Sequence, residues 1–340
     1  MRERGGGSRL RHWLLVSGDR RHVFAVVVGA SFLTFIILGK WGPSSVQTLL
    51  TTDAGGTVFS SVIIAIVTSV TLVLTVAQLV LSQEIGSLEQ QRDQLDAELE
   101  FRRDVETMSD LTVSPPEPAA FLRALILVTE HRAETLKAVV ATDLTDDASE
   151  EIETYLTDVI THSHQVGDTL DDREFGSFGV MLPLLNYNYS WKMYAVRALR
   201  HKHTASLTTD AEEAFDELLD ALQLFGSARE YFKAKYFQWE IINVSRLMLY
   251  TALPALIVAG YMTALFDPTA IPGTIASVKT ILLVFSAVYT ITLSPFAVLL
   301  VYVLRVLTTV KRTLATGPFI LRETEYVGTI RTDDAERETS

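Results

Sequence analysis

Apolar residues are concentrated in four long blocks of this chain, with polar sequence between and around them. The blocks cover residues 23–39, 57–83, 247–266 and 280–304. The second block has no charged residue from Thr57 through Gln83, which is about the length of helix that crosses roughly 30 Å of hydrocarbon. The pattern predicts an all-α polytopic membrane protein with four transmembrane helices in two hairpins.

The polar sequence between the two hairpins has its own periodicity. Apolar residues recur three or four positions apart, which predicts a cytoplasmic helical bundle without strands. Thr209 and Glu212 have the spacing of a capping box that starts its last helix. The predicted organisation is a basic leader (1–22), a first hairpin (23–83), a helical domain (84–245), a second hairpin (246–310) and a tail (311–340).

Basic residues are distributed unequally across the four blocks. Arginines precede the first block and follow the second, whereas residues 41–52 between them carry no charge. Arg305, Lys311 and Arg312 follow the fourth block. The positive-inside rule therefore places both termini and the helical domain in the cytoplasm of a multi-pass protein of the cell membrane. Four residues at block ends are candidates for contact with the membrane interface: Trp41, Tyr236, Trp239 and Arg246.

Composition excludes several kinds of chemistry. The 340 residues include no Cys and carry a net charge of −12, so disulfides, thiolate catalysis and a basic face for nucleic acid are not expected. His162 and His164, like His201 and His203, lie two positions apart and would point to different faces of a helix. We therefore assign no metal, cofactor or catalytic residue, and an enzyme is not expected.

The second block carries a stripe of polar residues. The spacings of 4, 7, 3, 4, 3 and 4 keep them on one helical face. The stripe consists of Thr57, Ser61, Thr68, Thr71, Thr75, Gln78 and Ser82. Two interpretations remain open: Ser and Thr commonly lie at contacts between transmembrane helices, and several copies of such a face would line an aqueous pore.

The polar sequence after this block continues an apolar seam at alternating spacings of four and three. With no proline at the junction, one long helix is predicted from the membrane into the water. The seam consists of Leu81, Ile85, Leu88, Arg92, Leu95 and Leu99. It is interpreted either as a short coiled coil between copies, with one polar residue at a core position, or as an amphipathic helix packed on its own domain.

One soluble stretch, NYNYSW at residues 186–191, is unusually rich in aromatic residues. Tyr and Trp most often combine packing with one hydrogen bond. We therefore expect a helix face buried against the aromatic residues that precede the third block, in preference to a ligand site.

Several short runs also carry a resemblance: QLVLSQE (78–84), EFRRDVE (100–106), NYSWK (188–192) and YFQWE (236–240). In them the chain resembles uncharacterised four-span integral membrane proteins of halophilic archaea. The resemblance implies a topology and a salty habitat but no activity. The order of hairpin, helical domain and hairpin is also similar to that of bestrophin-type anion channels, in topology alone.

Two functions follow as expectations. The first is an oligomeric, channel-like protein in which the second transmembrane helix lines the axis. The alternative is a non-conducting membrane scaffold or signalling anchor whose helical domain binds a cytoplasmic protein. The expected partners are the lipid bilayer and further copies of the chain.

The charge asymmetry generates a test of topology. Single cysteines at residues 45–55 or 268–276 should react with a membrane-impermeant thiol reagent added to intact cells, because these connections are predicted to lie outside. Cysteines in the helical domain, from Glu84 to Arg246, should react only after the cells are opened. Labelling of the helical domain in intact cells would contradict the predicted orientation.

Overall fold

The computed structural model describes residues 20–41, 54–109, 111–143, 146–171 and 178–312. Nine α-helices account for most of these described residues. They are α1 (Arg20–Trp41), α2 (Ala54–Glu84), α3 (Leu88–Ser109), α4 (Pro118–Asp143), α5 (Asp146–Leu170), α6 (Phe178–Asn186), α7 (Tyr189–Lys202), α8 (Thr209–Ala264) and α9 (Thr280–Arg312). Most of the predicted leader and of the predicted tail lies outside the described residues.

Two short 3-10 turns and one small hairpin complete the described structure. The turns are Thr204–Ser206 and Pro268–Ala270, and β1 (Thr274–Ile275) pairs antiparallel with β2 (Val278–Lys279). Ala276 and Ser277, which join the strands, both have positive φ, as a two-residue turn between twisted strands requires. The hairpin lies between the third and fourth apolar blocks and was not predicted from the sequence.

The chain divides into two compact units. The first, called here the span unit, comprises Met1–Gly86 and Phe237–Lys311, and the second, the bundle unit, comprises Ser87–Tyr236 and Arg312–Ser340. The all-α prediction is confirmed, and four helices have the length and apolar composition that the four predicted spans require. The helices that are long and apolar enough are α1, α2, α8 and α9.

An aromatic cluster forms the core of the span unit. Phe59 of α2 is fully buried against Phe285 and Tyr289 of α9, with ring centroids 5.1 and 6.5 Å away. Phe35 of α1 lies 4.2 Å from the Tyr289 ring. Further along α2, Ile66 is buried with Ala252 and Ala255 of α8. The four apolar helices therefore pack on one another through large rings and small residues.

Pro295 interrupts the backbone ladder of α9, since proline has no N–H to donate to the carbonyl four residues earlier, that of Ile291. The Ser294 hydroxyl donates to this carbonyl at 2.7 Å. In hydrocarbon a freed carbonyl has no water to bond. The serine beside the proline therefore replaces the missing hydrogen bond within the same helix.

The predicted single helix from the second block into the polar sequence is wrong. α2 ends at Glu84 and α3 begins at Leu88, with Ile85–Ser87 outside helical geometry. Ser87 starts a new helix by a capping box: its N–H donates to the Gln90 carboxamide at 3.0 Å, and the Gln90 N–H donates to its hydroxyl at 3.3 Å. The Ser-x-x-Gln spacing after Gly86 was the signal that pattern analysis missed.

The start of α8 also differs from prediction by one residue. The cap is Thr208, whose hydroxyl accepts a hydrogen bond from the Ala211 N–H at 3.2 Å. From Thr209 the helix continues for 56 residues to Ala264. One helix thus includes both the last predicted bundle helix and the third predicted span.

A close approach between α8 and the start of α7 orders the bundle core. Gly226 lies against the Tyr189 ring so closely that an added Cβ would come within 2.4 Å of it. The Tyr189 ring packs in turn on Phe225, with centroids 6.2 Å apart, and under the Arg229 guanidinium, 5.2 Å away. Gly226 is the residue that allows this stack to form.

We expect Gly226→Ala to lower the free energy of unfolding of the bundle unit by about 1–3 kcal/mol, because the methyl group must displace a packed ring. Gly167→Ala is the matched control. Its Cβ would lie 3.6 Å from Leu127, in ordinary contact, and alanine is favoured over glycine inside a helix. Urea unfolding followed by circular dichroism measures both, and equal stability of the two variants would contradict the Gly226 packing.

Ser294→Ala should destabilise the span unit by about 0.6–1.7 kcal/mol, the range measured for hydrogen bonds in membranes, because it leaves the Ile291 carbonyl without a donor. Ser31→Ala is the control, since the Val27 carbonyl that Ser31 contacts at 2.9 Å belongs to an uninterrupted stretch of α1. Unfolding in mixed detergent micelles compares them. A larger loss for Ser31→Ala would contradict the argument.

Candidate functional site

The polar stripe of α2 faces away from the other spans of its own chain. The buried residues of α2 are Phe59, Ile66 and Val73, seven positions apart. Thr68 and Thr75 each lie nine positions from one of them, which is half a turn away at about 100° per residue. The side of α2 that packs within the chain is thus opposite the stripe. All members are exposed: Thr57, Ser61, Thr68, Thr71, Thr75, Gln78 and Ser82.

The stripe hydroxyls have a shared hydrogen-bond geometry. Each of five donates its proton to a carbonyl of the preceding turn of α2, at distances from 2.7 to 3.0 Å. A hydroxyl has one proton and two lone pairs. With the proton directed along the helix, each oxygen retains acceptor capacity for a group outside it. The five are Ser61, Thr68, Thr71, Thr75 and Ser82.

The seam residues on α3 are also unburied. Leu88 is 84% exposed, and Leu95 and Leu99 are 54% and 41% exposed. Val105 is the buried residue of this helix. Much of the surface of these leucines is therefore left uncovered by the described residues. Arg92 forms a loose ion pair with Asp96, at 3.9 Å.

Leu81 at the end of α2 and Ile85 within the helix break are exposed as well. A heptad register needs uninterrupted helix. The break after Glu84 therefore leaves Leu88, Arg92, Leu95 and Leu99 as the stretch that can form a helical seam.

The candidate interface residues differ in exposure. Trp41 at the end of α1 is 77% exposed and Trp239 is 46% exposed. Arg246 is exposed and its guanidinium contacts the Asn243 side chain at 3.2 Å. Tyr236 is buried, so the proposed contact with headgroups rests on the two tryptophans and the arginine.

One histidine of each predicted pair contacts a glutamate from elsewhere in the bundle unit. The exposed His164 lies 3.1 Å from Glu130, and His203 lies 3.0 Å from Glu151. Among the described residues no group of three or more His, Asp or Glu side chains is placed to hold a metal ion. His162 is different, since its half-buried ring lies 5.1 Å from the Tyr187 ring.

The stretch 186–191 contributes to the bundle core. Its predicted burial is confirmed, but the residues it packs against differ from those expected. Tyr187 is fully buried on Phe225, at 4.9 Å between centroids, rather than on the residues preceding the third block. The Asn188 side chain caps α7 by accepting the Trp191 N–H at 3.2 Å. Packing and capping account for this run.

Sequence analysis missed the polar centre around Tyr187. The Tyr187 hydroxyl lies 2.8 Å from the Ser163 hydroxyl, and the Lys192 ammonium lies 5.0 Å from the Tyr187 ring. Burial raises the pKa of the Tyr187 phenol, and the same cause lowers the pKa of His162 to about 4, with the Lys192 charge adding to it. These residues come from α5, α7 and the link before α7, so no local sequence pattern could indicate them.

The described helices define an all-α protein with four helices long and apolar enough to span a membrane. The chain belongs to a family of unknown function, DUF7972, whose profile matches residues 1–334. Comparison with curated proteins and with solved structures gives no match. The family match covers nearly the whole chain, so both units belong to one family architecture.

Proposed function

We propose that this chain is the subunit of a homo-oligomeric, channel-like membrane protein whose α2 helices line a common axis. The observation that carries the proposal is the outward direction of the α2 stripe, opposite Phe59, Ile66 and Val73. Polar side chains find no hydrogen-bond partner in lipid, whereas contacts between helices and water-filled cavities provide one. Further copies of α2 supply such a surrounding.

The exposed seam of α3 supports assembly by a second route. Leu88, Leu95 and Leu99 present apolar surface at spacings of seven and four, and a polar residue at one core position, here Arg92, selects register or copy number. Pairing of α3 between copies would bury this surface. In this proposal the termini and the bundle unit are cytoplasmic, in the cell membrane.

The hydrogen-bond geometry of the stripe favours cations as the conducted species. Five hydroxyls donate their protons to α2 carbonyls. Their oxygen lone pairs therefore remain available to an ion on the proposed axis. Oxygen acceptors replace the hydration shell of a cation, as carbonyl rings do in potassium channels. From Thr57 to Gln83 the helix has no basic side chain to attract an anion.

The alternative is a non-conducting scaffold or anchor. Because the hydroxyls are already bonded within α2, a dry seam between copies would satisfy them too. The bundle unit also has an open groove of about 630 Å³ that exposes Leu111 and Leu127 beside Arg123, a surface that a cytoplasmic protein could cover. Neither proposal nominates a catalytic residue.

Access of water to the stripe separates the two proposals. In the channel, single cysteines at Thr68, Thr71 and Thr75 should react with a small polar thiol reagent, because water reaches them. Cysteines at Val73, which is buried, and at Val76, about 100° around the helix from Thr75, are the controls and should be protected. The native chain has no cysteine to interfere. Equal protection of all five in the assembled protein would contradict the channel and leave the scaffold.

Conductance tests the same proposal directly. The purified protein in a planar bilayer with a KCl gradient should pass current with a reversal potential near that of K⁺. Thr71→Val with Thr75→Val removes two acceptor oxygens and should lower the conductance severalfold with little change in oligomer yield. In a packed seam the same pair of changes removes hydrogen bonds worth about 0.6 kcal/mol each. Oligomer yield would then fall instead. A reversal potential near that of Cl⁻ would contradict cation conduction.

A further inference from the structure

The polar centre of the bundle unit contains a histidine in an environment that disfavours its charged form. His162 of α5 lies against the fully buried Tyr187 ring, 5.1 Å between centroids. Its Nε2 atom is buried without a hydrogen-bond partner among the described residues. An imidazolium donates from both ring nitrogens, so protonation would bury a charge and a second donor that nothing nearby accepts.

The same Tyr187 ring also contacts a buried cation. Lys192 of α7 is 9% exposed, and its ammonium lies 5.0 Å from the Tyr187 centroid. His162 and Lys192 therefore approach one aromatic ring. The Lys192 charge acts on His162, and like charges repel each other more strongly in a protein interior than in water.

One anion on a neighbouring helix also acts on this centre. Glu130 of α4 adds to the burial that raises the pKa of the Tyr187 phenol. One of its carboxylate oxygens lies 3.1 Å from His164, and the other is buried without a hydrogen-bond partner among the described residues. On α5 itself, Asp158 is exposed and acts on the Tyr155 hydroxyl. α8 contributes the apolar Phe225 to Tyr187, and its Arg229, another cation, lies over Tyr189. Lys192 is the charge that acts on His162, and it has the same sign.

We propose that His162, Tyr187 and Lys192 form a proton-sensitive latch that holds α7 against α5 at neutral pH and releases it in acid. Neutral His162 allows the ring and the ammonium to pack together. A proton on His162 adds a second charge to the centre, and separation of α7 from α5 lets both cations reach water. The device acts within the bundle unit and does not depend on the channel proposal.

The direction of the effect follows from linkage. Burial and Lys192 lower the pKa of His162 to about 4 in the closed bundle, from 6.5 in water. The open form therefore binds more protons between these values. Stability of the closed form is fully present above pH 6.5, and it is lost progressively as the pH falls from 6.5 toward 4.

Hydrogen–deuterium exchange of the full chain in lipid nanodiscs tests the latch. Labelling times are adjusted so that intrinsic exchange is equal at pH 7.5 and pH 5.0. Amides of α7 should lose about tenfold in protection at pH 5.0, a value that allows for partial exposure of His162. In His162→Gln, which cannot titrate, protection at the two pH values should agree within about threefold. The control His164→Gln, at an exposed position on the same helix, should behave like the native chain.

A second variant keeps the proposal testable if His162→Gln fails to fold. Lys192→Met retains the apolar stem but removes the like charge, so protonation of His162 becomes less unfavourable and the acid loss should shrink by at least half. Unchanged α7 protection in the native chain at pH 5.0 would overturn the latch. So would an undiminished acid loss in both His162→Gln and Lys192→Met.

Discussion

The narrow face by which α2 packs within its own chain determines which residues of α2 are exposed on the span unit. One side of α2 is buried within its own chain, at Phe59, Ile66 and Val73. The opposite side of the helix is therefore exposed. In a membrane the exposed side meets lipid, water or another copy. The stripe of hydroxyls makes lipid the least favourable of these. The proposed assembly and the proposed water access at α2 thus both depend on which side of this helix is covered within the chain.

The need of backbone carbonyls for hydrogen bonds in a membrane imposes a second constraint on the span helices. Ser and Thr hydroxyls on α2 bond carbonyls that already have an N–H partner, which leaves the oxygens available to a neighbour. Ser294 on α9 instead bonds the Ile291 carbonyl that Pro295 leaves without a partner. The same residue type therefore serves two ends: surface chemistry in α2 and repair of a helix in α9.

The bundle unit is organised by aromatic rings that bring cations into its core. Tyr187 contacts Lys192, and Tyr189 contacts Arg229, while Phe225 packs on both rings. Ring faces carry negative potential and offset part of the cost of burying these cations. A neutral His162 fits this arrangement, whereas a charged one is repelled by the Lys192 ammonium. The proposed acid sensitivity follows from how the core is built.

The sequence alone determined the helical class, the four apolar helices and the face of α2 that carries the stripe, because segment length and helical periodicity are local properties. The break before Leu88 is also encoded locally, by the Ser87–Gln90 capping box, although the junction contains no proline to signal it. Tertiary structure alone decided that the stripe faces outward, since this depends on where Phe59 and Ile66 find partners on α8 and α9. It also decided the environment of His162, because Tyr187 and Lys192 reach it from elsewhere in the chain. Periodicity defines the faces of a helix, and only packing determines which face is covered.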